Sequence, residues 1–197
     1  NTGDSKGLLE ATNISLTRGQ VNGTTLNVVA TQDYAQSGGT IEATTATVQS
    51  GKNINLTGGE VQATTATVQA GQNIRLTGGK FQATTANLNA NDDITIAGGE
   101  VQATTATLTA DNIVLTKGTI LASETASLAA TNGAISEGES FALEAPRLKV
   151  SANEDISLDS KSNQLERVNV EHSGKDVIIG SANGKNKEDL RIHTANK

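Results

Sequence analysis

The residues best suited to chemistry in this chain recur at a fixed spacing instead of gathering in one cluster. Thr45 and Thr47 flank Ala46, Thr65 and Thr67 flank Ala66, Thr105 and Thr107 flank Ala106, and Thr85 with Asn87 nearly repeats the set. Such columns present a regular array of hydroxyl and methyl groups to solvent on one strand face. The plainer reading is that Thr is simply a good exposed strand residue, because β-branched side chains suit a pleated surface. Carbohydrate-cleaving sites need carboxylates, bases or cations clustered on one face. Asp92 and Asp93 form the only adjacent acidic pair of the most regular stretch, and Glu154 with Asp155 follows later. Both pairs fall where a turn is expected, and Asx residues favour turns. Asp93 stands where its neighbours have Asn53 and Asn73.

His172 and His193 lie 21 residues apart, but two imidazoles do not define a metal site. Lys185, Asn186 and Lys187 read as a solvated loop, since a short basic cluster has little reach in salt. The Gly-Gly pairs lack the acidic pattern of calcium-binding nonapeptide coils. They are also not followed by a helix N-terminus that would bind phosphate. The expectation is therefore no catalytic residue, no metal, no cofactor and no enzymatic activity, with the threonine columns as the candidate surface site.

The elements that position these residues follow from the repeat. Residues 41–60 read IEATTATVQSGKNINLTGGE, 61–80 VQATTATVQAGQNIRLTGGK and 81–100 FQATTANLNANDDITIAGGE, and the pattern continues to 119. A period near twenty marks a stacked solenoid. Within residues 61–80, Val61 and Ala63, then Ala66, Val68 and Ala70, then Ile74 and Leu76 alternate with polar residues. That is the period of strands with one buried face. Three short strands are thus predicted per coil, broken at Thr64 and Thr65, at 71–73, and at Gly78 and Gly79. Blocks of one length place like side chains over like, Val61 on Ile41 and Asn73 on Asn53. The predicted fold is all-β, a parallel β-helix of about twenty residues per coil. The right hand is expected from the usual hand of parallel crossovers.

The register extends outward from the clear repeats. Val21, Leu26, Val28, Ala30 and Tyr34 fall on inward slots, and Gln36 takes a slot that is aliphatic elsewhere, so it needs a hydrogen-bond partner. One corner residue is missing after Asn112 and one is added around Ser123 and Glu124. Residues 1–136 read as regular coils, with 41–119 as the repeat core. Residues 137–197 read as a continuation with irregular, more charged coils, carrying Phe141, Leu143, Leu148, Val150, Ile156, Leu158, Val168, Val170, Val177, Ile179, Leu190 and Ile192 on inward slots. Pro146 must avoid a ladder position there. This varied half is the expected place for a specific contact, since near-identical coils offer any ligand several equivalent sites.

Composition agrees with a narrow aliphatic interior: 197 residues without Cys, Met or Trp, aromatics at 2% and a hydrophobic share of 35%. The formal net charge of −6 disfavours a nucleic-acid partner. No apolar run approaches a membrane span, and no basic, then apolar leader opens the chain. NTGDSKGLLE already fits the register, so an internal fragment of a longer protein is expected.

The block AGQNIRLTGGKFQATTANL, with Ala/Thr-rich strands and a glycine corner, resembles the repeats of filamentous haemagglutinin-like exoproteins, the secreted members of two-partner secretion systems of Gram-negative bacteria. The likeness is best over 41–119 and weaker over nearly the whole chain. The NPNG motif of that family's secretion domain is absent, so the stretch resembles the shaft. The resemblance implies a structural and adhesive shaft at the bacterial cell surface or secreted, exported largely unfolded through an outer-membrane transporter. A cysteine-free chain suits that route. It also implies contact with a receptor or glycan on a host or neighbouring cell, as in adhesins, haem-acquisition proteins and contact-dependent growth inhibition effectors. The alternatives are a polysaccharide-cleaving β-helix enzyme, with a charged cleft after Glu137, and an ice- or surface-binding repeat.

Overall fold

Each twenty-residue block closes one turn of a parallel β-solenoid, and about 9 such turns stack into a single sheet system in which 76% of the described residues are strand. The computed structural model describes residues 5–172, 174, 176–180 and 190–191, and only the backbone of His172, Leu190 and Arg191. In the repeat core a coil is an 11-residue strand followed by a 3-residue strand, as in Glu60–Ala70 and Ile74–Leu76. The corner at Thr64 bends the long strand without ending it: the ladder pairs Ala43 with Ala63 and resumes at Thr45 with Thr65. From Asp93 onward the Gly-Gly corner is absorbed too, and Asp93–Ala110, Asn112–Ala130 and Ile135–Ala152 each run through both bends.

Pairing follows the repeat. Val61 sits over Ile41, Val68 over Val48 and Ile74 over Ile54. The inward residues form continuous columns, with Ala46, Ala66, Ala86 and Ala106 in one and Ile54, Ile74, Ile94 and Ile113 in another, all buried. Ala63 is half-buried and packs at the margin of this core. One coil alone exposes both edges of every strand and cannot seal its aliphatic column. Stacking supplies both the hydrogen-bond partners and the dry contact, so stability is shared between neighbours.

The departures from the repeat are each accommodated at a defined place. Gln36 is fully buried; its Oε1 accepts from the Tyr34 hydroxyl at 3.0 Å, and its Nε2 donates to the carbonyls of Gly39 at 3.2 Å and Glu60 at 3.3 Å. That closes the amide's needs inside an apolar stack. It also explains Gly59, held at φ 78. A Cβ there would lie 2.5 Å from Gln36 Nε2 and 2.7 Å from the Gly38 carbonyl. Ser50, in the column of Ala30, Ala70 and Ala90, donates to the Gln32 carbonyl at 2.5 Å. The missing corner residue lies just before Asn112, where Asp111 alone spans the bend, and Asp93 pairs with Asn112. The added residue is at Ser123 and Glu124, between the pairs of Ala103 with Ala122 and Thr105 with Thr125. Pro146 stands at the Thr64-type corner, skipped by the ladders on both sides, and so removes no hydrogen bond.

The later coils keep the register. Phe141, Leu143, Leu148, Val150, Ile156, Leu158, Val168 and Val170 are buried, while Val177 and Ile179 are half-buried against the core. The backbone of Leu190 pairs with Val168; Ile192 lies outside the described residues.

Because Val68 is buried and Gln69 exposed, two adjacent substitutions separate the faces. Val68→Asp places a charge in a dry column and is expected to cost more than about 4 kcal/mol. Gln69→Asp is expected to stay within about 1 kcal/mol, losing chiefly the side-chain bond from Gln49 at 2.7 Å. Urea unfolding of the two variants measures the difference, and equal losses would contradict the register.

Candidate functional site

The corner before each third strand carries the most regular polar geometry. The Asp33 amide donates to Asn13 Oδ1 at 3.2 Å, and the Asn53 amide to Asp33 Oδ1 at 3.1 Å. Asn73 Nδ2 donates to Asn53 Oδ1 at 3.1 Å, the Asp93 amide to Asn73 Oδ1 at 3.1 Å, and Asn112 Nδ2 to Asp93 Oδ1 at 2.9 Å. The Asp176 amide closes the series on Asp155 Oδ1 at 3.1 Å. Asp93 and Asp155 are thus acceptors in a corner ladder that serves side-chain amides, as at Asp93, and backbone amides which the bend leaves unpaired, as at Asp155. Asp92 and Glu154 are exposed beside it. Among the described residues, no group of three or more His, Cys, Asp or Glu side chains is placed to hold a metal ion. No helix there is long and apolar enough to cross a membrane. The backbone of His172 pairs with Ala152; His193 and the loop of Lys185, Asn186 and Lys187 lie outside the described residues.

The threonine columns stand where the repeat puts them. Thr45 pairs with Thr65, Thr65 with Thr85, and Thr85 with Thr105; beside them Thr47 pairs with Thr67, Thr67 with Asn87, and Asn87 with Thr107. All are half-buried between neighbours on the outer side of the strand. A third column, Gln49, Gln69 and Asn89, lines a shallow groove of about 570 Å³. From Thr25 to Ala129 this face carries only hydroxyl, amide and small apolar residues. The columns then change character. Thr125 is followed by Arg147 and Arg167, and Ser127 by Lys149. Sequence reading did not extend the columns this far, although Arg147 to Val150 (RLKV) and Arg167 to Val170 (RVNV) align with Thr65 to Val68 (TATV) once the added corner residues are allowed for.

Glu137 was also missed. It pairs with Leu115 and occupies the inward slot that Leu56, Leu76 and Ile96 fill in earlier coils. Its Oε2 accepts from the Ser160 amide at 2.9 Å and from Asn163 Nδ2 at 2.7 Å. Its Oε1 is buried without a partner. Ser160 and Asn163 are buried as well; the Ser160 hydroxyl donates to the Phe141 carbonyl at 2.6 Å, and Asn163 Oδ1 accepts from the Leu143 amide at 2.8 Å. The three side chains tie the corner after Leu158 to the coil before it. Burial holds the Glu137 carboxyl above the ordinary carboxylate range, opposed by the bonds from Ser160 and Asn163 and reinforced by Asp159. Burial likewise raises the Tyr34 phenol. The spacing that identifies Glu137 is its position two residues after Ile135, the relation of Leu76 to Ile74.

No protein-family model, curated protein or solved structure matches this chain. The β-solenoid architecture is compatible with a filamentous haemagglutinin-like shaft.

The pH dependence of Glu137 has a definite sign. Its folded pKa is raised, so the folded state holds the proton more tightly than the unfolded chain. Its contribution to stability is therefore most favourable at low pH and is lost as pH rises through the carboxylate range to the raised value. Glu137→Gln removes this component. Melting temperatures recorded from pH 4 to 8 are expected to fall less with rising pH in the variant than in the native chain. Parallel curves would contradict the burial of this carboxyl.

Proposed function

We propose that this chain is a length of shaft from a large secreted bacterial surface protein of the filamentous haemagglutinin-like kind. In this reading it is exported through an outer-membrane two-partner secretion transporter and holds a distal adhesive or toxic segment away from the cell. It also contributes contact with a receptor or glycan on a host or neighbouring cell. The observation that carries the reading is the parallel register of the repeat core, in which coil after coil repeats nearly the same side chains on the same slots. Such a sequence adds length with each repeat. About 9 turns at the strand spacing of roughly 4.8 Å give a rod of about 43 Å.

The matched threonine columns favour a second reading, weak binding to a regularly spaced surface such as ice. It is tested by thermal hysteresis and recrystallisation assays, with Thr65 and Thr67 changed to Lys to abolish the match. No activity in the native chain would exclude it.

Removal of residues 61–100 joins two equivalent corners and takes out whole coils without disturbing the register. For a shaft, the shortened chain is expected to remain β-rich by circular dichroism and to lose roughly 10 Å of length by small-angle scattering. The same deletion in cells displaying the full-length protein is expected to leave attachment within about twofold, since near-equivalent coils substitute for one another. Loss of attachment with the fold intact would instead mark these coils as the binding element.

A further inference from the structure

We propose that Arg147, Arg167 and Lys149 form a receptor site for a single phosphate- or sulfate-monoester group on an otherwise uncharged glycan. Arg147 and Arg167 are direct cross-strand partners, and Lys149 is two residues along from Arg147 on the same outer face. All three are exposed. Like charges directly opposite one another in a sheet are destabilising. The formal net charge of the chain is −6, yet none of the three cations is in an ion pair among the described residues. In the preceding coils the same columns hold Thr125 and Ser127, so the fold does not require cations there. An anion seated between the arginines removes the repulsion.

The geometry selects the kind of anion. Two guanidinium groups one strand apart, roughly 4.8 Å at the backbone, offer parallel N–H forks that match the oxygens of a tetrahedral monoester. The ammonium of Lys149 adds a point charge about 7 Å along the strand. The carrier is selected by what surrounds the patch. Toward the N-terminus the outward columns are uncharged back to Thr25, rich in hydroxyls and amides that suit a sugar chain, with Glu124 exposed at the corner next to Thr125. On the strand of Arg167 itself, Glu166 is exposed immediately before it and Glu171 four residues after it. A long polyanion would be repelled there, whereas one charged group on a neutral chain would not. A shallow groove of about 150 Å³, lined by Ser127, Lys149, Ser151, Asn169 and Glu171 among others, lies alongside. This inference does not depend on the shaft reading.

The test is a titration of the full chain, at low ionic strength, by calorimetry and by NMR. The ligands are glucose 6-phosphate, glucose 6-sulfate, glucose and a singly phosphorylated maltohexaose. The native chain is expected to bind at least one ester saturably, with glucose at least tenfold weaker and the phosphorylated maltohexaose at least threefold tighter than glucose 6-phosphate. The double variant Arg147→Thr with Arg167→Thr restores the threonine column. It is expected to melt no lower than the native chain while losing at least tenfold in affinity. The double arginine-to-lysine variant, which keeps charge but not the fork, is expected to fall between. Equal ester binding by the threonine variant would overturn the site, as would no saturable binding of either ester. Equal affinity for glucose 6-phosphate and the maltohexaose ester would overturn the glycan carrier. Affinity that rises steadily with the length of dextran sulfate would overturn the single-group assignment.

Discussion

Everything in this molecule depends on the backbone hydrogen bonds that pass from each coil to the next in parallel register. The interior is too narrow and too poor in large side chains for any coil to hold itself together, and an isolated coil would leave all its strand edges open. Once two coils are in register, both deficits are met together. Ile74 comes to rest on Ile54 and Val68 on Val48 because the backbones pair there, and a slip of one residue would turn each aliphatic column outward. The strict alternation of side chains and the near-constant repeat length are two expressions of that single requirement.

Most of the fold was legible because the constraint is periodic. Period-two alternation marked the inward slots, the twenty-residue repeat stacked them, and glycine and Asx residues marked two of the corners. Gln36 was recognisable as an exception needing a partner, and the Tyr34 hydroxyl with the Gly39 and Glu60 carbonyls provides it. The identity of those partners was not legible, since it depends on how the glycine corners of two successive coils approach the strand that carries Tyr34 and Gln36. Strand boundaries were likewise hidden. Whether a bend at Thr64 or Gly98 interrupts the ladder is decided by hydrogen-bond geometry, which no local residue pattern reports.

The candidate sites were read unevenly for the same reason. The threonine columns lie in the exact repeat and were found at once. Glu137 and the pair of Arg147 and Arg167 lie beyond the indels at Asp111 and Ser123, where simple counting by twenty fails. Charge also disguised them: an inward glutamate contradicts the hydrophobic template, and stacked arginines contradict the expectation of alternating sign. Only the pairing of Leu115 with Glu137 and of Arg147 with Arg167 restores them to their columns. Places where a residue violates the local rule while the backbone obeys the global one are where function or a specific structural role is to be sought.

The direction of the inter-coil bonds has a mechanical consequence. They run along the axis of the stack, so a pull on its two ends loads the outermost rung first and opens coils one after another, like turns leaving a spool. Each coil of about 20 residues that detaches gives up roughly 4.8 Å of height and releases about 66–72 Å of extended chain. A stack built this way would lengthen in steps under load and wind back when the load falls.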